Sequence, residues 1–252
     1  MTIILYDIPS PFPNKAFSFN TWKARFALNY KGLPYKTEWV EFPDIEALCK
    51  KLGIAPTEPK PTSTGGGPLY TLPAIYDPAT NTYISESLRI ASYLDATYPS
   101  TPSLFPHNTQ GVQAGFCDAF KAHVSPIFRF GIPQLAGTLS PRSAAYVRQT
   151  REEWLGAPID KILPHGEEAK EVWAKVQAAW GKADEWYALN GGRGVFLMGE
   201  KPCFADLLVA SFLIWVKTIY GEDDQKWKDL ASWNGGRWKR LLDGLEKYSQ
   251  VV

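Results

Sequence analysis

The sequence predicts two domains in series: an α/β domain over residues 1–98 and an all-helical domain over residues 108–252, joined by a linker at 99–107. Three observations carry this reading. Over about the first hundred residues, short β-rich runs alternate with segments whose apolar residues recur at helical spacing. Beyond them the longest strand-like run is Gly194–Met198, and helical periodicity fills the remainder. Between the two lies Tyr98-Pro99-Ser100-Thr101-Pro102-Ser103, a breaker-rich stretch. Mixed elements followed by helices alone are the pattern of segregated layers or separate domains.

In chain order, Thr2 to Asp7 alternates and reads as a strand. Asn20 to Lys31 places Trp22, Phe26, Ala27 and Tyr30 on one helical face, and Gly32 supplies a C-terminal stop. Tyr35 to Val40 is a second strand, and Pro43 to Leu52 a second helix with Ile45, Leu48 and Leu52 aligned. Ala55 to Pro68 is a proline- and glycine-rich loop, long enough to suggest a functional role. Its Gly65-Gly66-Gly67 has no Gly-Lys-Ser/Thr after it and is not a phosphate loop. Ala74-Ile75-Tyr76 and Thr82-Tyr83-Ile84 flank the turn Asp77–Asn81 and form a hairpin. Leu88, Ala91, Tyr93 and Leu94 then begin a third helix. The later helices are expected over Thr109–Leu135, Pro141–Ile162, Gly166–Leu189 and Phe204–Tyr220, with shorter pieces near Asp223 and Gly236.

Two features of the first domain point to chemistry. Pro73 stands where a strand begins, and proline is confined to strand starts, edges and bulges because it donates nothing to the ladder. The N–H and C=O of Leu72 are thereby left for an extended partner, as an added strand would use them. A plain trans strand start is the simpler alternative. Ser85-Glu86-Ser87 opens the third helix: Ser85 is expected to cap it, and Ser87 falls among the free N–H groups of the first turn. That place suits a carboxylate, and Glu86 suits an ammonium, so together they suit an amino-acid head group.

Composition excludes several classes. With 252 residues, 45% of them apolar, the chain can bury one large or two moderate cores. A net charge of +1 without a basic run argues against nucleic acid. No apolar stretch is long enough to span a membrane, and the start lacks a signal-peptide pattern, so a cytoplasmic location is expected. The three cysteines (Cys49, Cys117, Cys203) and three histidines (His107, His123, His165) are scattered, and no metal site is expected.

In this order and spacing, five segments resemble the cytosolic glutathione transferases, which have a thioredoxin-like first domain and a helical second one. They are Leu5-Tyr6-Asp7; Trp22-Lys23-x-Arg25-x-Ala27-Leu28; Leu72-Pro73; Glu86-Ser87-x-x-Ile90-x-x-Tyr93-Leu94; and Gly199-x-x-Pro202-x-x-Ala205-Asp206. The resemblance is nearest to the fungal etherase-related class, close to bacterial lignin β-etherases. It implies that Pro73 is cis, that the Leu72 backbone pairs with the cysteinyl unit of glutathione, and that Glu86 and Ser87 grip its γ-glutamyl head. It places Ser18, just before the first helix, at the position of the thiol-activating residue, with Asn20 and Thr21 as alternatives. No cysteine lies between Ile8 and Trp22, so thiol-transfer chemistry is disfavoured and conjugation to an electrophile favoured. Lys60, or else Lys50 or Lys51, would meet the glycyl carboxylate. The loop Ala55–Pro68 and the aromatic helix carrying Phe116, Phe120 and Phe128 would enclose a pocket for hydrophobic aromatic molecules, although bundle core also explains those rings. A homodimer is implied, and a ligandin that binds aromatic metabolites with little catalysis is the alternative function. One departure is Cys203 where the family has Ser or Thr as a cap; a thiol is a poor acceptor, so the Cys203 half of that capping box is expected to be weakened, while Asp206 can still accept from the Cys203 N–H.

Overall fold

A computed structural model describes residues 2–252. The first domain runs β1 (Ile3–Asp7), α1 (Phe19–Lys31), β2 (Tyr35–Trp39), α2 (Ile45–Leu52), β3 (Glu58–Pro59), β4 (Pro68–Leu69), β5 (Ala74–Asp77), β6 (Thr82–Ser85) and α3 (Ser87–Thr97). Its sheet has the order β2-β1-β5-β6. β1 is central, parallel to β2 (Ile3 opposite Tyr35) and antiparallel to β5 (Tyr6 opposite Ala74). This is the thioredoxin-like arrangement expected. The loop at 55–68 is not structureless: β3 and β4 pair as a small hairpin, and its three glycines all take positive φ.

α1 is held between the sheet and the helical domain. Its Arg25 is fully buried and bonds Asp7 at 2.6 Å, and also donates to the Tyr35 hydroxyl and Thr37 Oγ1 at 3.1 Å each. A charge buried this deeply is tolerable only when it is paired and hydrogen-bonded. α1 ends at Gly32, whose φ of 66° lets its N–H return to Leu28 and Asn29. Lys31 then reaches Asp95 of α3 at 2.8 Å.

The second domain comprises α4 (Gln110–Val124), α5 (Phe128–Ala136), α6 (Pro141–Leu155), α7 (Ile159–Ile162), α8 (Gly166–Ala188), α9 (Phe204–Tyr220) and α10 (Gln225–Gly244). The expected helix over Thr109–Leu135 divides into α4 and α5 at Ser125-Pro126, where a 3-10 turn intervenes. The one over Pro141–Ile162 divides at Gly156, which has φ of 66°, and Pro158. The pieces near Asp223 and Gly236 join into α10 across a non-helical kink at Trp233–Gly236. Gly194–Met198 makes only an isolated bridge, Phe196 to Gly199, and no strand.

α9 is the axis of this domain and buries nearly its whole surface. At its start the buried Asp206 accepts from Cys203 N–H (2.9 Å), Leu197 N–H (2.8 Å), the Tyr187 hydroxyl (2.8 Å) and the Cys203 thiol (3.2 Å). The Asp206 half of the capping box is thus present despite the cysteine. α1 packs on α9, and Phe204 N–H bonds Leu104 C=O at 2.9 Å, so the two domains share a continuous core.

Candidate functional site

A cavity of about 350 Å³ opens where the domains meet. One wall comes from the first domain: Ser18, Phe19 and Asn20 at the start of α1, Phe42 and Ile45 before and in α2, and Leu69–Leu72 leading into β5. The facing wall comes from α5, α6 and α9, through Phe128, Ile132, Tyr146, Arg151, Trp154 and Trp215. Its size and apolar lining suit a small organic molecule. A second hollow, about 460 Å³, lies between α9 and α10, but its lysines are already matched: Lys217 with Glu222 and Lys239 with Asp243, at 2.8 and 2.7 Å.

Ser18 is the N-cap residue of α1, in extended conformation with φ −66° and ψ 120°. Its backbone C=O accepts from Trp22 N–H at 3.0 Å and Thr21 Oγ1 at 3.1 Å. Its hydroxyl, by contrast, caps nothing and has no partner among the described residues. A free hydroxyl therefore stands at the positive end of a 13-residue helix, on the cavity wall. Asn20 also lines the cavity, and its Oδ1 accepts from Lys23 Nζ at 2.9 Å. Thr21 is fully buried with its hydroxyl turned back to Ser18 C=O, which removes it from the candidates. The side chain of Lys23 is buried as well; burial, with the Lys121 ammonium adding to it, lowers its pKa to about 8.

The peptide bond from Leu72 to Pro73 is cis. Neither the N–H nor the C=O of Leu72 has a backbone partner among the described residues, and Leu72 lines the cavity. Pro73 C=O accepts from Glu86 N–H at 3.3 Å, which sets the start of α3 beside this segment.

The cap of α3 is not Ser85, as the spacing suggested, but Glu86. Ser85 stays in β6 opposite Ala74, with its hydroxyl bonded to Ala55 C=O at 2.9 Å. Glu86 adopts φ 77°, an uncommon conformation for a residue with a side chain, and its carboxylate accepts from Leu88 N–H (3.0 Å), Arg89 N–H (3.1 Å) and Ser87 Oγ (3.2 Å). Backbone strain of this kind clusters at functional sites. Glu86 and Ser87 do not line the cavity itself; they adjoin it through Pro73.

The lysines named for the glycyl carboxylate lie off the cavity. Lys60 and Lys50 both bond Glu46, at 3.2 and 2.7 Å, and Lys51 is exposed. Of the three phenylalanines expected to line the pocket, only Phe128 does. Phe116 and Phe120 face the other way: Phe116 packs on Trp186 and Tyr187 of α8, and Phe120, fully buried, packs on Trp180 and Phe212. They belong to the bundle core, because the turn at Pro126 redirects the chain after α4. The wall they were expected to form is supplied by α6 and α9. Tyr146, Arg151, Trp154 and Trp215 were not anticipated; the one sequence signal was Arg151 three residues before Trp154, a spacing that stacks side chains on a helix.

The cavity holds no thiol. Cys49, Cys117 and Cys203 are all buried elsewhere, and burial pushes Cys49 up to about 11 and Cys117 up to about 12. Among the described residues no cluster could hold a metal ion, and no helix is long and apolar enough to cross a membrane.

Comparison with known proteins agrees with this architecture. The model of the glutathione S-transferase N-terminal domain matches residues 17–97, and that of the C-terminal domain matches residues 111–248. A glutathione S-transferase-like protein of Aspergillus flavus, ustS, is 31% identical over 252 residues, covering 94% of this chain and 87% of its own. The crystal structure of a glutathione S-transferase of Ceriporiopsis subvermispora, CsGST63524, in complex with glutathione, superposes with a TM-score of 0.94 at 40% identity, covering 100% of this chain and 99% of that one. Glutathione transferase GSTFuA3 of Phanerochaete chrysosporium gives 0.92 at 39% identity, with 100% and 99% covered. With both halves matched and the fold shared end to end, the chain belongs to the glutathione S-transferase family.

Proposed function

We propose that this transferase binds glutathione along its first-domain wall and that the Ser18 hydroxyl holds the glutathione sulfur as a thiolate, for attack on an aromatic electrophile in the cavity. The observation that carries the reading is the unpartnered Ser18 hydroxyl at the α1 N-terminus, on the same cavity wall as the unpaired backbone of Leu72.

A cysteine thiol with a pKa of about 8.5 is mostly protonated near neutrality, and the thiolate is the nucleophile. A hydroxyl donor and the helix dipole both favour the charged form. Glutathione would lie extended, its cysteinyl unit paired with Leu72 and its γ-glutamyl head at Glu86 and Ser87, where the backbone takes a positive φ and the Glu86 carboxylate already gathers three donors. Lys60 or Lys50 would exchange Glu46 for the glycyl carboxylate. The sulfur then forms a bond to an electrophilic carbon, and the leaving group departs with its electron pair; displacement of an aryl ether is one form of this step. With no thiol on the cavity, a mixed disulfide with the protein has nowhere to form.

Ser18→Ala should raise the pKa of bound glutathione, followed by thiolate absorbance, and lower kcat near neutral pH by roughly ten- to a hundredfold, the worth of a hydrogen bond to a charged group. Ser18→Cys, given oxidised glutathione, should form a mixed disulfide by thiol–disulfide exchange, releasing one reduced glutathione, visible by mass spectrometry. If Ser18→Ala titrates its bound thiol like the parent while Asn20→Ala does not, the role belongs to Asn20.

A further inference from the structure

The cavity has one permanently charged side chain, and that charge is unmatched. Among its lining residues there is no aspartate, glutamate, lysine or histidine; Arg151 alone carries a charge. α6 bears three arginines in all. Arg142 bonds Asp44 through both terminal nitrogens, and Arg148 bonds Asp160 and Glu152. Arg151, one turn further on, has no carboxylate partner among the described residues; its one hydrogen bond runs from Nη1 to Thr150 Oγ1 at 3.1 Å. Its guanidinium carbon lies over the Trp154 ring, 4.1 Å from the centroid, and burial pushes its pKa below the ordinary value.

Each feature has a physical consequence. Stacking on an indole fixes the plane of the guanidinium and leaves its N–H edge free. A partly desolvated cation without a counter-charge is unfavourable, so an anion arriving from water removes a cost already present in the empty protein. The donors of the guanidinium fork match the two oxygens of a carboxylate. The same cavity is lined by Phe42, Tyr146, Trp154 and Leu155, largely apolar bodies suited to a ring.

We propose that Arg151 is a specificity-determining residue, and that the second ligand of this cavity is an aromatic acid: an arene carrying a carboxylate that pairs with the Arg151 guanidinium while its ring lies among the aromatic side chains of α6 and α9. This rests on the reading of the cavity as the site of the aromatic co-substrate. The two sources of a carboxylate in such a site are the arene and the glycyl end of glutathione. The arene is favoured because Arg151 belongs to the aromatic wall, whereas Lys50 and Lys60 already stand together beside α2.

The probes are 2-naphthoate, its neutral methyl ester and glutathione, each titrated calorimetrically into the parent, Arg151→Gln and Arg151→Lys. The parent should prefer the acid to the ester. Arg151→Gln should lose about tenfold or more in affinity for 2-naphthoate, with the ester and glutathione within about twofold of the parent. Arg151→Lys, which keeps the charge and loses the fork, should fall between. An unchanged ester affinity also reports an intact cavity. Equal loss of acid and ester would make Arg151 a packing residue and overturn the proposal. Loss of glutathione with the acid retained would assign it to the glycyl carboxylate, and a parent that binds the ester as well as the acid would overturn it too. Failure of the parent to bind glutathione at all would instead strike the transferase reading, independently of the acid-to-ester ratio.

Discussion

The two walls of the cavity are built on different principles. The first-domain wall takes its polar groups from element ends, the N-cap of α1 at Ser18 and the segment entering β5 at Leu72, with the N-cap of α3 at Glu86 adjoining it behind Pro73. It presents free hydroxyl and backbone groups, which are what helix and strand ends leave over. The facing wall is made of helix interiors, α5, α6 and α9, whose backbone is already bonded, so it presents only side chains. A peptide-like ligand is matched by the first kind of wall and a ring by the second. The walls touch at Phe19, next to Ser18, whose ring lies 4.5 Å from that of Phe212, 5.4 Å from Trp215 and 5.5 Å from Phe128.

That contact is the place to break the contrast. Trp215 is 2% exposed and packs edge-on against Phe19 and Phe212 and at a tilt against Phe128. Trp215→Ala should cost about 3–5 kcal/mol in urea denaturation, the usual range for removing a large buried aromatic. Because Phe19 is the first residue of α1, directly after Ser18, both arene and glutathione affinity should fall. If glutathione affinity is untouched, the walls are energetically separate.

Gly131→Ala reaches the same contact from the aromatic side. A Cβ at Gly131 would collide with the Trp215 indole, since α5 approaches α9 there without room for a side chain. Overpacking of this kind costs about 1–3 kcal/mol, and displacing an indole that also meets Phe19 should weaken arene binding most and glutathione binding less than Trp215→Ala does.

Lys23 sharpens the other wall, because it is a buried cation beneath it with only Asn20 as hydrogen-bond partner. Its pKa is about 8 in the folded chain, lowered first by burial and then by Lys121, against about 10.4 for a free lysine. Below pH 8 the folded and unfolded chains are both protonated, and the burial penalty is fully present. Between the two values the unfolded chain holds more protons, so stability rises with pH until the penalty is gone. Lys23→Met should therefore stabilise the protein at pH 7 by up to about 3 kcal/mol, and the difference from the parent in thermal melting should shrink from pH 8 upward and close only above about pH 10.4. A difference that is constant with pH would mean Lys23 is neutral or solvated.

The contrast between the walls also decides what could be read from sequence. The places of Leu72-Pro73 and Glu86-Ser87 at element ends were legible because such ends are signalled locally by caps, prolines and turns, whereas Ser18 was singled out only by the resemblance and the structure sets it at the N-cap of α1. The aromatic wall depends on which way each face of a helix turns, and that is set by breaks such as Pro126 and Gly156 acting on tertiary packing. Periodicity gave Phe116 and Phe120 a shared face correctly, but nothing local says whether a face meets a cavity or another helix. The hairpin of β3 and β4 was missed for a similar reason: two-residue strands carry no period. The error at Ser85 was one residue wide; serine is the better intrinsic cap, yet its backbone is held in β6, and the cap falls to the next residue.

Glu86 is where that displacement has the smallest energetic effect and the sharpest test. Its carboxylate does two things on the first-domain wall: it caps α3 through Leu88 and Arg89, and it is the proposed partner of the glutathione ammonium. Glu86→Ala removes both functions, so it should lose about 1 kcal/mol of stability, the usual worth of an N-cap, together with glutathione affinity. Glu86→Asn separates them. Asparagine is among the best N-caps and is enriched at positive φ, so it suits the 77° conformation here at least as well as glutamate. It carries no charge. Stability of Glu86→Asn should therefore stay within about 0.5 kcal/mol of the parent by urea denaturation. Glutathione affinity by calorimetry should nonetheless fall about tenfold, as in Glu86→Ala, because a charge-assisted bond has become a neutral one. If Glu86→Asn binds glutathione like the parent, the carboxylate is only a cap, and recognition of the ammonium must move to another group on this wall. If it is instead as unstable as Glu86→Ala, the strained backbone at residue 86 is held by the glutamate itself.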